Sequence, residues 1–179
     1  MSIRKLALGA ISAAVVAIAP MTARADVVQL GFILDRSGSI NFSSPNNWNT
    51  IVSGLSSAIN TLIPITGTTQ YEISVVSFST AATIDVNSYL ITDAASRTAV
   101  ANLISGIGFT GGSTCYSCAF TSMQTALTDA FGTNGGGFAP TSTSVAATYV
   151  NFATDGEPNV NTSTTLSTGS RRICVRSRT

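Results

Sequence analysis

Residues 27–39 read VVQLGFILDRSGS, and this stretch decides the fold. Its first eight residues form a nearly continuous apolar, strand-forming run, which is typical of a strand covered on both faces. The run ends abruptly at Asp35, and polar residues or glycine occupy positions 36–39. A buried strand that opens into an oxygen-rich loop favours an α/β domain whose ligands bind beyond the carboxyl ends of its strands.

Helical and strand patterns alternate downstream of this first strand. Apolar residues recur at helical spacing from Trp48 to Leu62, and this stripe stops at Pro64. The other segments are strands at 71–78, 83–86 and 148–153, helices at 100–107 and 119–131, and an exposed loop at 132–143. We therefore predict a Rossmann-like α/β domain, with an open, mostly parallel sheet flanked by helices.

The net charge of +1 conceals a strong segregation of charge along the chain. Of the nine basic residues, three lie in positions 1–25 and four in positions 171–179, whereas all eight acids lie in positions 26–170. The central stretch keeps only Arg36 and Arg97 as basic residues, so its charge is 2 − 8 = −6. Such an acidic domain is a poor candidate for binding nucleic acid. The chain has no histidine, which excludes imidazole catalysis and histidine-ligated metals.

The first 25 residues have the pattern of a secretory signal peptide. Arg4 and Lys5 precede an apolar run at 6–19, and residues 23–25 supply a small-x-small cleavage pattern. The run is too short to span a bilayer, and no later segment is apolar enough to form a transmembrane helix. We expect the processed chain to be secreted, periplasmic or bound at the cell surface, where disulfides are permitted.

Oxygen donors cluster in three separate loops. Asp35, Ser37 and Ser39 follow the first strand, residues 111–114 open the third predicted helix, and residues 154–157 follow the last predicted strand. Taken singly, these pieces have ordinary interpretations as a helix cap, an N-terminal turn and a common turn sequence. Together, at the ends of core elements, they predict a site for a hard divalent cation such as Mg²⁺.

These motifs resemble the von Willebrand factor type A (vWA) family, also called integrin I-like. Residues 35–39 match its Asp-x-Ser-x-Ser signature, residues 112–114 with Ala119 and Phe120 are similar to its second motif, and residues 150–158 are similar to its third. The resemblance implies a metal-ion-dependent adhesion site that binds Mg²⁺ or Mn²⁺. Its hydroxyl ligands would be Ser37, Ser39 and Thr114, and Asp35 and Asp155 would hold the ion directly or through water.

The function that this resemblance implies is binding, without enzymatic activity. The open coordination position of such a site is commonly filled by an acidic side chain of a partner, so we expect a protein or surface ligand. A metal-assisted hydrolase that uses Asp35 and Asp155 is an alternative. A truncated, non-functional copy is another.

The cysteine pair Cys115 and Cys118 directly follows Thr114. A Cys-x-x-Cys at a helix N-terminus is compatible with a redox site. A local disulfide that stiffens the metal loop is the preferred interpretation in an exported chain, and buried free thiols are a second.

The end of the chain departs from the family pattern. Only 24 residues follow Asp155, and we find in them no helical stripe and no apolar strand of adequate length. Four arginines in residues 171–179 also contrast with the domain before them. We expect a vWA-like domain over 26–170 that is cut short, and a tail that derives from truncation or a shifted reading frame. A natural basic tail is the alternative.

Overall fold

Strands and helices alternate in the computed structural model, which describes residues 26–128 and 145–160 and the backbone of residues 173–178. The predicted signal peptide and the predicted loop at 132–143 lie outside these residues. The strands are β1 (Asp26–Asp35), β2 (Thr69–Phe78), β3 (Ala82–Ile91), β4 (Val145–Ala153) and β5 (Ile173–Arg178). The helices are α1 (Asn47–Leu62), α2 (Ala94–Ser105) and α3 (Tyr116–Thr128), with a short 3₁₀ helix at Gly38–Asn41.

The strands form one sheet in the order β3-β2-β1-β4-β5. Strand β1 pairs in parallel with β2 and β4, β4 pairs in parallel with β5, and only β3 is antiparallel to its neighbour within this sheet. The prediction of an open, mostly parallel sheet flanked by helices is confirmed. From β1 the chain first builds one side of the sheet and then crosses to the other, so the strand order reverses between β1 and β4.

Each face of the sheet buries its own apolar cluster. On one face, Leu34 packs with residues of α1 and α2 such as Trp48 and Ile104. On the other face, Ile33 packs with residues of α3 such as Met123. Consecutive residues of β1 point to opposite faces of the sheet. Because both faces are buried, residues of either orientation must be apolar, which explains the continuous apolar run of β1.

Strand β3 and helix α2 extend furthest beyond the bounds that the sequence pattern indicates. Strand β3 continues to Ile91 although polar residues interrupt its apolar pattern. Helix α2 begins at Ala94 because Asp93 caps it: its carboxylate accepts a hydrogen bond from the Ser96 backbone, and the Ser96 side chain bonds back to the Asp93 N–H. This capping box precedes the apolar residues of the helix, so the apolar stripe alone gives a helix that starts too late.

A strand follows Asp155, although the sequence there has no apolar run of the length we expect for a strand. Ile173–Arg178 forms β5, which pairs with β4 from Thr148 opposite Ile173 to Ala153 opposite Arg178. Strand β5 lies at the edge of the sheet, where a strand needs fewer apolar residues than a central one.

Among the described residues, no helix combines the length and apolar character needed to cross a membrane.

Candidate metal centre

The candidate site lies where β1 and β4 end side by side. Leu34 of β1 is paired with Ala153 of β4, so the next residues, Asp35 and Thr154, emerge together at the carboxyl edge of the sheet. This edge flanks the reversal of strand order, which is where open α/β sheets place their ligands.

Asp35 and Ser37 form the buried base of the site, each with 1% of its surface exposed. One oxygen of Asp35 accepts the Ser37 N–H at 2.8 Å, and the other accepts the Thr154 hydroxyl at 2.7 Å. The Ser37 and Ser39 hydroxyls are 3.1 Å apart, and Ser39 donates to an oxygen of Asp155 at 2.8 Å. Hydrogen bonds thus connect the buried Asp35 to the exposed Asp155, first through the Ser37 backbone N–H and then through the two serine hydroxyls.

This arrangement does not support the simpler interpretation of the first motif as a helix cap. The 3₁₀ helix Gly38–Asn41 begins directly after Ser37, but the Ser37 side chain makes no capping hydrogen bond. Its hydroxyl is instead directed to Ser39.

The second loop approaches the first through two glycines in left-handed conformations. Gly111 has φ +69° and Gly112 has φ +97°, which side chains disfavour. The Gly112 carbonyl accepts the Gly38 N–H at 2.9 Å, and the Gly111 N–H donates to the Arg36 carbonyl at 3.1 Å. These bonds bring Thr114, which is 5% exposed, to the same edge of the sheet.

The third loop holds Thr114 by its backbone. The Thr114 N–H donates to the Asn159 side-chain oxygen at 2.8 Å, and the Asn159 N–H donates back to the Thr114 carbonyl at 3.2 Å. Every pair of the three loops is therefore joined by hydrogen bonds. The structure links Asp35, Ser37, Ser39 and Asp155 in one chain of hydrogen bonds and places Thr114 in a loop tied to both others.

Sequence reasoning missed the supporting residues Tyr116 and Asn159, and it placed Thr154 in the third oxygen-rich loop without assigning it a role. The Tyr116 hydroxyl donates to Thr154 Oγ1 at 3.2 Å and also bonds the Gly156 carbonyl. Thr154 stands inside the third motif, so its position was a usable signal. Asn159 gave none, because an asparagine four residues past Asp155 resembles any polar turn residue.

The charges around the site suit a cation. Both oxygens of Asp35 accept hydrogen bonds from uncharged groups, and a buried carboxylate is stabilised by a positive charge nearby. The neighbouring Arg36 guanidinium is directed elsewhere, to the Gly108 carbonyl at 3.2 Å and Thr83 Oγ1 at 2.9 Å. The Arg36 charge acts instead on Asp85 of β3. Burial raises the pKa of Asp85 above its usual value, although the Ser77 hydrogen bonds and the Arg36 charge lower it in part.

The candidate ligands share one donor type. All candidate ligands are oxygens, as hard cations prefer. In the described part of the chain, no group of three or more His, Cys, Asp or Glu residues could hold a metal, so any cation here depends on hydroxyls. Two carboxylates formally balance the charge of a dication and the hydroxyls add no further negative charge, so the ion can still accept one more anionic ligand.

A disulfide joins Cys115 to Cys118, with the two Cα atoms 5.4 Å apart. It spans the start of α3, immediately after Thr114. This is the pairing that the sequence analysis preferred over free thiols.

Comparison with known proteins assigns the chain to a family. The family model of the von Willebrand factor type A domain matches residues 29–173, so the chain belongs to the von Willebrand factor type A family. No curated protein sequence matches the chain.

Several solved structures share the fold. Proximal thread matrix protein 1 from the mussel byssus, in a structure with a zinc-occupied MIDAS motif, has TM-score 0.52 and 18% identity over 75% of this chain and 30% of that one. The pilus adhesin SpaC from Lactobacillus rhamnosus GG has TM-score 0.53 and 16% identity over 74% and 16%. A von Willebrand factor type A protein from Catenulispora acidiphila has TM-score 0.52 and 18% identity over 75% and 28%. The chain spans less than a third of each of these proteins.

Proposed function

We propose that this chain is an exported binding module whose vWA domain, over residues 26–170, holds Mg²⁺ or Mn²⁺. The ligands are Asp35, Ser37, Ser39, Thr114 and Asp155. The bound cation supplies a positive charge that accepts a carboxylate oxygen from an acidic residue of a protein or surface ligand. The predicted signal peptide supports export.

The observation that carries the proposal is the chain of hydrogen bonds from Asp35 through Ser37 and Ser39 to Asp155. It gathers oxygen donors from the carboxyl ends of two strands that are far apart in sequence, β1 and β4, and the hydroxyls are held in place before any ligand arrives. The mussel protein, which shares this fold and has zinc in its MIDAS motif, supports a divalent ion as the ligand.

The division of burial across the site supports a binding role. Asp35, Ser37 and Thr114 are buried, whereas Ser39 and Asp155 are exposed, so the side of the site open to a partner faces solvent. The mussel matrix protein and the pilus adhesin support binding rather than catalysis as the function.

Metal binding is tested with the purified chain, stripped with EDTA and titrated with Mn²⁺ by calorimetry. We expect one Mn²⁺ per chain, and an affinity lower by about 100-fold or more in Asp35→Asn, since a metal ligand matters at least as much as its supporting residues. Asp93→Asn is the matched control, because this carboxylate caps α2 away from the site. Equal Mn²⁺ affinity in Asp35→Asn and wild type would overturn the proposal.

The open coordination position is tested with acetate as the carboxylate probe. Acetate that displaces water from bound Mn²⁺ lowers the enhancement of water-proton relaxation, whereas chloride at the same ionic strength does not. An acetate titration that matches the chloride titration would contradict recognition of an acidic ligand.

A further inference from the structure

We infer that the Cys115–Cys118 disulfide is a positioning element of the metal site, and that its reduction weakens metal binding by releasing Thr114. The inference rests on the function proposed above. It adds a dependence on redox state, which the choice of ligands alone does not imply.

Thr114 lies between two residues that are both held by the segment after β2. The Ser113 N–H donates to Thr80 Oγ1 at 3.0 Å, and the Cys115 N–H donates to the Ser79 carbonyl at 2.9 Å. The Cys118 sulfur lies 3.9 Å from the Thr80 carbonyl oxygen. The disulfide and residues 79–80 therefore enclose the same short piece of chain that presents Thr114.

The other side of this piece is held by the third loop. Cys115 forms a parallel bridge with Val160, beside the two hydrogen bonds between Thr114 and Asn159. Cys115 has 0% of its surface exposed, so one end of the disulfide is fixed in the core. Movement of Cys115 would displace Thr114 together with these contacts.

The disulfide ties down the part of α3 that is weakest on its own. The first N–H groups of a helix have no acceptor within the helix, so the first turn frays. Helix α3 begins at Tyr116, and the disulfide closes this turn from Cys115 to Cys118. In the reduced chain residues 115–118 regain conformational freedom. Binding of the cation must then order Thr114, and the conformational entropy lost in doing so lowers the affinity.

The redox step is simple thiol–disulfide exchange with dithiothreitol. A thiolate of the reductant attacks the Cys118 sulfur, which is on the partly exposed side, and the Cys115 sulfur leaves as a thiolate. The second thiol of the reductant then displaces Cys118 and closes a cyclic disulfide. Two electrons pass from the reductant to the protein, and both cysteines end as thiols after protonation.

The test compares Mn²⁺ affinity of the oxidised and reduced chain by calorimetry, after dithiothreitol is removed under nitrogen. Cys174→Ser is the background, so that the third cysteine takes no part in exchange. We expect reduction to raise the Kd for Mn²⁺ by about 10-fold, as loss of a residue that orients a ligand does. Cys115→Ala/Cys118→Ala in the same background should have the same raised Kd without any reductant.

Thr114→Val separates positioning from general stabilisation. Without the Thr114 hydroxyl, the Mn²⁺ Kd should no longer respond to reduction, while reduction still lowers the melting temperature in EDTA. An unchanged Kd with a lowered melting temperature in the Cys174→Ser chain would overturn the inference and leave the disulfide a purely structural role. Failure of the metal proposal itself is distinct, because the oxidised chain would then not bind Mn²⁺ at all.

Discussion

Thr154 supports the site at the level of a single hydroxyl. It donates to the buried carboxylate of Asp35 at 2.7 Å, and it receives the Tyr116 hydroxyl at 3.2 Å. Valine has the same shape but no donor, so Thr154→Val leaves one oxygen of Asp35 without this hydrogen bond. We expect a loss of roughly 1–3 kcal/mol in the free energy of unfolding, measured with urea in EDTA.

Thr125→Val is the matched control for this substitution. Thr125 lies on the exposed side of α3, and its hydroxyl donates to the Thr121 carbonyl one turn before it. Its replacement should change the free energy of unfolding by less than about 0.5 kcal/mol. A Thr154→Val chain as stable as the Thr125→Val chain would show that the contact with Asp35 contributes nothing.

Gly112 is required by both conformation and space. Its φ of +97° disfavours any side chain, and a Cβ added there would lie 2.7 Å from Thr80 Oγ1. We expect Gly112→Ala to destabilise the chain by about 1–3 kcal/mol and to lower Mn²⁺ affinity, since the Gly112 carbonyl also receives the Gly38 N–H.

Gly54→Ala provides the opposite expectation in the same chain. Gly54 lies in α1, and an added Cβ there meets nothing within 4 Å. Alanine should therefore stabilise the helix by about 0.5–1 kcal/mol and leave Mn²⁺ affinity unchanged. A Gly112→Ala chain whose urea midpoint is equal to or higher than that of wild type would contradict the role assigned to Gly112.

The residues proposed as ligands could be predicted from sequence because their chemistry is local. Asp35, Ser37 and Ser39 are oxygen donors within five positions, whatever surrounds them. Asn159 and Thr80 could not be found in this way. Their importance comes from contacts with Thr114 and Ser113 across the fold, and only the folded chain brings these pairs together.

Among the elements, α2 offers a test of pH dependence. Hydrogen bonds from the Ser96 backbone and hydroxyl lower the pKa of the Asp93 carboxyl below its usual 3.8. A group with a lowered pKa in the folded state contributes stability above its unfolded pKa, and this stability is lost as pH falls through the folded value. Wild type should therefore exceed Asp93→Asn in stability at neutral pH, because asparagine caps without carrying charge.

The measurement is the difference in urea midpoint between these two chains from pH 7 down to pH 2.5. The difference should be constant at neutral pH and shrink below pH 3.8. Other titrating groups are shared and cancel in the comparison. A difference that does not depend on pH would exclude a charge contribution from Asp93.

The elements differ in how well sequence predicts them, and the reason is burial. Strand β1 is central, so its apolar run is long and its assignment is secure. Strands β3 and β5 lie at the two edges of the sheet, where polar residues are tolerated, and one was predicted too short while the other was missed. Pairing with a neighbouring strand, which the pattern does not record, defines both.

At the scale of the whole molecule, the charge of the domain and the topology of the sheet both bear on the proposed metal site. The stretch 26–170 carries 2 − 8 = −6, and a bound dication would reduce this to about −4. The strand order β3-β2-β1-β4-β5 places the proposed site between the two halves of the sheet. A cation bound there therefore restrains both halves at their carboxyl edge and leaves the opposite edge as it was.

This arrangement predicts a gradient of hydrogen exchange on metal binding. At a free Mn²⁺ concentration about 100 times the Kd, the bound state gains about 2.7 kcal/mol, so amides of the three site loops should exchange up to ~100-fold more slowly. The amides of Ser37 and Thr114, which hydrogen-bond within the site, should respond most. Amides at the opposite edge, in residues 69–72 and 145–148, should change little where they exchange by local fraying.

Asp35→Asn should abolish the gradient, and slowing confined to that opposite edge would contradict a site between β1 and β4.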